Sequence, residues 1–357
     1  MLSYDAEKNR TVAEPSLQPQ IVHQTAGRAL FIAADGKCYV SRRYDIYSSD
    51  DWGATWRLDC RVPPSGWKPW AAAVTPLARL LRYYIQAFQV LDDGSRLAVA
   101  RDGIYRAAAG ETAMTRVFTY TRGSRPLNLC ADGPRVLFGE YGDGFGGSEI
   151  FLYLSEDFGR SWEVGYRFPG GDIRHVHNVL FDAAENHYWV LVGDYGREPG
   201  IGALSRDLKH IEWLTRGSIE SRAVGAIVTS DCLYYGMDSD RERNFIMRLE
   251  KRTGKMSQLL EVEGSSLYAA TFGSVHVIST CVEPNPACPS RECSLYASRD
   301  GDRWGRILPH RKDFYNLVVF QFGCLVLPYS FSARSRGMFS GQAVAGAHDK
   351  TTLLDFE

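Results

Sequence analysis

A turn that recurs at a near-constant interval constrains this chain more than any other feature. Residues 48–56 read "SSDDWGATW" and residues 155–162 read "SEDFGRSW". Both contain Ser-x-Asp-x-Gly-x-[Thr/Ser]-Trp, as Ser49, Asp51, Gly53, Thr55, Trp56 and as Ser155, Asp157, Gly159, Ser161, Trp162. A shortened copy, "SRDGDRW", supplies Ser298, Asp300, Gly301 and Trp304, and a worn one, "SRDLKHIEW", supplies Ser205, Asp207 and Trp213. The leading serines are 106, 50 and 93 residues apart, close to two, one and two units of about 50. A period of about 40–50 residues with several strands per unit is the signature of a β-propeller.

The pattern makes physical sense as a tight turn. An Asp carboxylate accepts backbone N–H bonds, Gly permits a positive φ, and Trp covers the turn from the next strand. It resembles the Asp-box, or BNR repeat, and through it the chain resembles the sialidase-type β-propellers. The resemblance implies that each box joins the third and fourth strands of a blade, on the face away from the ligand. The repeated turn is then a fastener and not a site. Sialidase chemistry does not carry over. The family's early Arg-Ile-Pro type motif is absent near the N-terminus, "RILP" at 306–309 is late and different, and the Tyr/Glu nucleophile pair has no counterpart that can be assigned.

Around the turns, short apolar runs divide into blades. Examples are "RALFIAADG" and "KCYVSRRYD" in blade 1, "RVLFGEYGDG" and "EIFLYLSED" in blade 3, and "HYWVLVGDYG" in blade 4. The expected fold is all-β: one propeller over residues 1–357, of four-stranded antiparallel blades, with seven blades the best fit and six the alternative. Residues 17–27 are expected to complete the last blade and close the ring. One insertion, residues 63–88, breaks the pattern. Leu77, Leu80, Leu81 and Tyr84 fall at helical spacing there, with Arg79 and Arg82 on other faces. This predicts a short helix packed on the ring, or else a contact with a membrane surface or partner protein through residues 77–88.

Lys and Arg number 41 against 42 Asp and Glu, so no nucleic-acid footprint is indicated. The opening "MLSYDAEKNR" lacks the apolar core of a secretory signal, and no run of about 18 apolar residues occurs. A cytoplasmic protein is the resulting expectation. The eight cysteines sit mostly in apolar runs, and Cys281, Cys288 and Cys293 lack the tight spacing of a zinc site.

In a propeller, the ends of second strands and the starts of innermost strands gather on one rim. Second-strand ends supply Arg43 in blade 1, Arg101 in blade 2, Glu140 and Tyr141 in blade 3, Asp194 and Tyr195 in blade 4, Asp238 in blade 5 and Glu283 in blade 6. The echo of "FGEY" and "VGDY" places acids at matching points of neighbouring blades. Such a pair could protonate a leaving oxygen and activate water or attack. His175 and His177, two apart on a strand, share a face at the start of blade 4's inner strand. They could serve as a general base, hold a divalent metal with Asp194 or Glu198, or line the funnel as hydrogen-bonded polar residues. Arg222, at the start of blade 5, would suit a substrate carboxylate.

Three functions remain open on these residues. One is hydrolysis of an acidic glycan by Glu140 and Asp194, with His177 and Arg222 positioning the substrate and Asp238, Glu283, Arg43, Arg101 and Tyr195 lining the site. The second follows from a looser resemblance to propeller-type polysaccharide lyases. There His175, His177, Tyr141, Tyr195 and Arg222 would move protons and neutralise a uronate, with Arg in the neutralising role. The third is a non-catalytic glycan-binding or assembly propeller. No cofactor is required by these readings beyond the metal option at His175 and His177.

Overall fold

The computed structural model describes residues 17–63, 79–123, 125–142 and 147–357, and its strands form seven antiparallel sheets arranged as blades. Blade 1 runs Arg28–Ile32, Cys38–Arg42, Asp45–Ser49 and Arg57–Arg61 from the channel outward. Blades 2 to 6 begin at the inner strands Ala87–Val90, Cys130–Asp132, Val176–Asp182, Ala223–Val228 and Tyr268–Phe272. Blade 7 is built from Gly323–Val326, Arg336–Gln342 and Lys350–Asp355. Its outermost strand is the N-terminal Gln20–Ala26, which pairs with Lys350–Asp355. The seven-blade reading and the closure by the N-terminal segment both hold.

Burial follows the layering. Second strands are sandwiched between neighbouring blades, so Arg96–Ala100 is buried along its whole length while the outer strand Thr115–Phe118 is not. This is why the second-strand segments read as continuous apolar runs instead of alternating ones. The core therefore lies between blades: Leu137, Val176, Val190 and Val192 pack blade 3 on blade 4, and Trp189, Leu191, Ala226 and Tyr235 pack blade 4 on blade 5. Two short strands break the four-strand rule. Cys281–Val282 adds to the inner edge of blade 7, and Tyr329–Ser330 runs parallel to the inner strand of blade 1.

Each repeated turn joins the third and fourth strands of its blade, in blades 1, 3, 4 and 6. In blade 3 Ser155 donates its hydroxyl proton to Asp157 at 2.8 Å and accepts from the Gly159 amide at 2.8 Å. The same carboxylate accepts from the Ser161 amide at 2.9 Å and the Ser161 hydroxyl at 2.7 Å. Blade 1 repeats the set through Ser49, Asp51, Gly53 and Thr55, and Trp56 donates from Nε1 to the Gly53 carbonyl. The glycine has a second role. Gly159 has φ +77°, and a Cβ there would lie 2.7 Å from Leu97 of blade 2, so the turn seats on the preceding blade.

These bonds have a measurable acid signature. Burial pushes the Asp157 carboxyl up, but the Ser161 amide and hydroxyl outweigh it and hold it at about 2. Because the folded value lies below the ordinary 3.8, the contribution is present above about pH 4 and fades as pH falls through 2. Asp157→Ala should cost about 1–2 kcal/mol at neutral pH, shrinking in acid, as read by urea melts across pH 2–7.

In the insertion, residues 64–78 lie outside the described residues, and helix is present only at 79–81, with strand resuming at Ala87. Leu77 is thus not described, and Tyr84 is not helical. Arg79 is not a surface cation. It is buried, donating to Asp313 at 2.6 Å and to the Phe320 carbonyl at 2.6 Å, and it lies over the Tyr315 ring.

Candidate functional site

The start of blade 4's inner strand and the ends of the second strands of blades 4 and 5 meet on one rim. His175 and His177 point to the same side, with ring centroids 5.0 Å apart. Their Nε2 atoms are 3.1 Å apart. Asp194, just past strand His187–Val192, turns back toward both, at 3.2 Å from His177 Nε2 and 3.4 Å from His175 Nε2. Each Nδ1 faces a backbone carbonyl: His175 that of Gly142 at 2.9 Å, His177 that of Ala223 at 2.8 Å. Tyr141 packs its ring on His175, with centroids 4.5 Å apart.

Arg222 closes the other side. Its guanidinium reaches Asp194 at 3.5 Å, Asp238 at 3.2 Å and Asp240 at 3.1 Å. Burial opposes its charge, yet Asp238, Asp194 and Asp240 together hold it above its ordinary value. The arginine expected to await a substrate carboxylate already faces three internal ones, with its Nε left unpartnered among the described residues. Tyr195 donates its hydroxyl to Asp240 at 2.8 Å, and its ring lies under the guanidinium groups of Arg222 and Arg241.

The carboxyls of the site are driven in opposite directions. Burial pushes Asp194 up, but hydrogen bonds to His175 and His177 outweigh it and hold the group well below the carboxylate range. Asp238 is fully enclosed, and that burial keeps it above its ordinary value despite Arg222. Burial also raises Glu283, and the negative charge of Asp238 adds to it, while the Ser265 hydroxyl bonds one of its oxygens at 2.9 Å.

Glu140 belongs to a different network. Arg122 donates to both of its oxygens, at 2.8 and 2.6 Å, the Phe151 amide donates at 2.8 Å and the Tyr153 hydroxyl at 3.3 Å. Among the described residues it shares no partner with Asp194. The echo "FGEY"/"VGDY" therefore marks matching strand ends, not two carboxylates with a common task. Arg43 is exposed in a turn, and Arg101 donates to the Leu81 carbonyl at 2.7 Å and stacks on Tyr83, so neither contacts this cluster. Sequence reasoning passed over Arg122 and gave Asp240 no role. Arg122 lies 18 residues from Glu140 in an irregular connection, with no motif to flag it.

Among the described residues, two groups can coordinate a metal ion weakly. One is His175, His177 and Asp194, the other Asp182, Glu185 and His187, and in each the ligand atoms lie within 4.8 Å of one another. Glu198, the alternative ligand weighed from sequence, instead approaches Arg174 at 3.9 Å. Behind the rim, the central channel encloses about 430 Å³ lined by apolar groups such as Phe88, Leu180, Phe181 and Ala226, together with Gln89, Asn128 and Asn178. The eight cysteines are free thiols.

No family model matches the chain, and no curated protein matches it in sequence. Solved structures do match in fold. A chain of a mitotic checkpoint complex aligns at TM-score 0.59 with 10% identity, covering 99% of this chain and 97% of that one. The GH74 enzyme of Niastella koreensis aligns at 0.53 with 14% identity over 82% of this chain and 47% of its own. The extracellular domain of the putative one-component system BT4673 from B. thetaiotaomicron aligns at 0.58 with 11% identity, over 95% and 40%. This chain thus spans about half, or less, of the latter two. What is shared is the seven-bladed propeller. The repeated turns do not single out one family among its members, sialidases included. The cytoplasmic expectation is also corrected: the fold is shared with an extracellular domain, so fold and composition do not place the protein in the cytoplasm.

Proposed function

We propose that this propeller binds a glycan across the rim of blades 4 to 6 and cleaves it by acid–base chemistry. The observation that carries the reading is the convergence of His175, His177, Asp194, Arg222 and Asp238 in one buried ionic cluster at that rim. Sites that separate an ionised acid from a protonated one are suited to moving protons at neutral pH. Here we assign the proton-donor role to Glu283, which is half-buried, raised above its ordinary value by burial and the nearby Asp238 charge, and among the described residues bonded by Ser265 on one oxygen. The basic side is His175, His177 and Asp194. Glu140, consumed by Arg122, has no part in it. The likeness to a GH74 enzyme favours a glycan over other substrates.

The test is a polysaccharide panel followed for new reducing ends and for the ultraviolet absorbance of unsaturated uronate. Hydrolysis predicts reducing ends without the chromophore, at least 100-fold slower in Glu283→Gln and unchanged within a few-fold in Glu140→Gln. The chromophore appearing together with reducing ends would instead assign β-elimination, with Tyr141 beside His175 as the proton carrier. A second reading, a non-catalytic assembly propeller, is favoured by neighbours such as YCF48 bound to a D1 peptide, which aligns at TM-score 0.55 with 12% identity. Silence of correctly folded protein on both channels would select it. In that case a glycan or protein ligand, and the contact through residues 77–88, become the functions to pursue.

A further inference from the structure

We propose that His175, His177 and Asp194 form a site for one divalent transition-metal cation of the zinc type, bound through both Nε2 atoms and a carboxylate oxygen. The proposal goes beyond glycan cleavage and stands whether or not the rim turns over a glycan; with a cation bound, the basic side of the rim would be a water held by it and not a free imidazole.

The first argument is an inventory of protons. Gly142 and Ala223 present carbonyl oxygens, which only accept, so the Nδ1 of each histidine carries that ring's proton. In its neutral form each ring then turns a lone pair outward from Nε2. Those lone pairs face each other at 3.1 Å and face the Asp194 oxygens at 3.2 and 3.4 Å. Without a proton on either Nε2 the three groups that meet here are all acceptors, so an imidazolium proton or a cation must join them, and both histidines are 3% exposed. Backbone carbonyls that pin ligand histidines by their far nitrogens are the usual outer support of a metal centre.

The second argument is size. Zinc holds nitrogen and oxygen ligands at about 2.0–2.2 Å in a tetrahedron, which sets its ligands about 3.3 Å apart. Here the two Nε2 atoms lie 3.1 Å apart, and Asp194 meets each through a different oxygen, Oδ1 at 3.2 Å from His177 and Oδ2 at 3.4 Å from His175, so each contact is of that length. Three protein ligands leave the remaining position for water or substrate, where a bound cation would supply Lewis acidity.

Charge balance is the third. Asp194, Asp238 and Asp240 surround the single guanidinium of Arg222, so three carboxyl groups share one cation, and Arg241 only brushes Asp240 at 3.9 Å from an exposed position. The other ligand-like group makes the contrast. At Asp182, Glu185 and His187, the Lys251 ammonium already sits on Asp182 and lies 3.8 Å from Glu185, with the Trp189 indole N–H on Asp182 at 2.9 Å. There the ammonium sits directly on the ligand carboxylate, whereas at the rim Arg222 approaches Asp194 only at 3.5 Å and is shared with Asp238 and Asp240, and among the described residues no cation is paired with either imidazole.

The experiment uses the full chain, stripped by chelator and titrated with Zn²⁺ by calorimetry and with Co²⁺ by visible absorption. The expected result is one equivalent bound, an intense tetrahedral cobalt spectrum, and at least 100-fold weaker binding in His177→Ala and Asp194→Asn. His187→Ala should bind as the parent does. If His177→Ala fails to fold, the near-isosteric Asp194→Asn decides. Nitrogen NMR gives an independent reading: Zn²⁺ should shift both Nε2 resonances while the Nδ1 protons stay in place. Absence of stoichiometric binding by folded protein, or binding that survives both variants, would overturn the proposal. So would an imidazolium proton retained on either Nε2 in excess Zn²⁺. Since none of these readouts is turnover, failure of the glycan reading and failure of the metal site are seen separately.

Discussion

Replacing Lys251 with methionine should destabilise the propeller by about 3–5 kcal/mol at neutral pH, more than any rim substitution, because it strands a buried carboxylate. Lys251 and Asp182 each expose only 3% of their side chains. Lys251 follows the third strand of blade 5, Asn244–Glu250, and Asp182 ends the inner strand of blade 4, so the ion pair ties two blades together. Asp182 also accepts from the Trp189 indole and from the Ala184 and Glu185 amides. Burial pushes its carboxyl up, but the Lys251 and Trp189 hydrogen bonds overcome that and hold it below its ordinary value. The folded value lies below the unfolded one, so the pair stabilises above about pH 4 and loses its contribution as pH falls. In Lys251→Met the loss should therefore be largest at pH 7 and narrow in acid, where protonation relieves the stranded charge. For a chain of this length the melting temperature should fall by about 4–7 °C. Pairing the change with Asp182→Asn should recover much of it. If Lys251→Met alone melts like the parent at pH 7, the buried pair is not holding these blades together.

That pair could not have been read from the chain. Lys251 and Asp182 are 69 residues apart, and nothing in "LEKRTG" separates Lys251 from a solvated turn lysine. The blade pattern was legible for the opposite reason: the repeated turn is local, each of its bonds spanning two to four residues. Strand order and ring closure follow from that local signal together with continuous apolar second strands. The rim was legible in part. A spacing of two put His175 and His177 on one face, and the strand end put Asp194 within reach. Their near nitrogens, however, depend on carbonyls 33 and 46 residues away, which no spacing reveals. Arg222 was rightly placed at the rim, but the sequence offered no count of the aspartates that would occupy it.

Glu140 shows the same limit and supplies the second large effect. From sequence it is a rim acid, matched to Asp194 by the residue before it. In the fold it is a buried clasp: both oxygens are held by Arg122, one also by the Phe151 amide, and its carbonyl accepts from the Val176 amide of blade 4 at 2.8 Å. The Arg122 guanidinium in turn donates to the Glu149 carbonyl and lies 4.4 Å from the Phe151 ring centroid. Glu140→Ala removes the carboxylate acceptor of the Arg122 guanidinium and the Phe151 amide while their desolvation remains and the backbone bond to Val176 is kept, a loss of about 2–4 kcal/mol, moderated because Arg122 is partly solvated. Glu140→Gln keeps one acceptor oxygen and should lose roughly half as much. The junction it clasps is tight: a Cβ added at Gly139 would lie 2.3 Å from the Val176 Cβ. Val176 separates His175 from His177, so slackening this seam should loosen the histidine pair in Glu140→Ala and leave it in place in Glu140→Gln. Thermal melts and rim-ligand affinity measured on the two variants separate a clasp from a catalyst. A clasp lowers the melting temperature in both and spares function in Glu140→Gln, whereas a catalytic acid would show normal melting and no turnover in that variant.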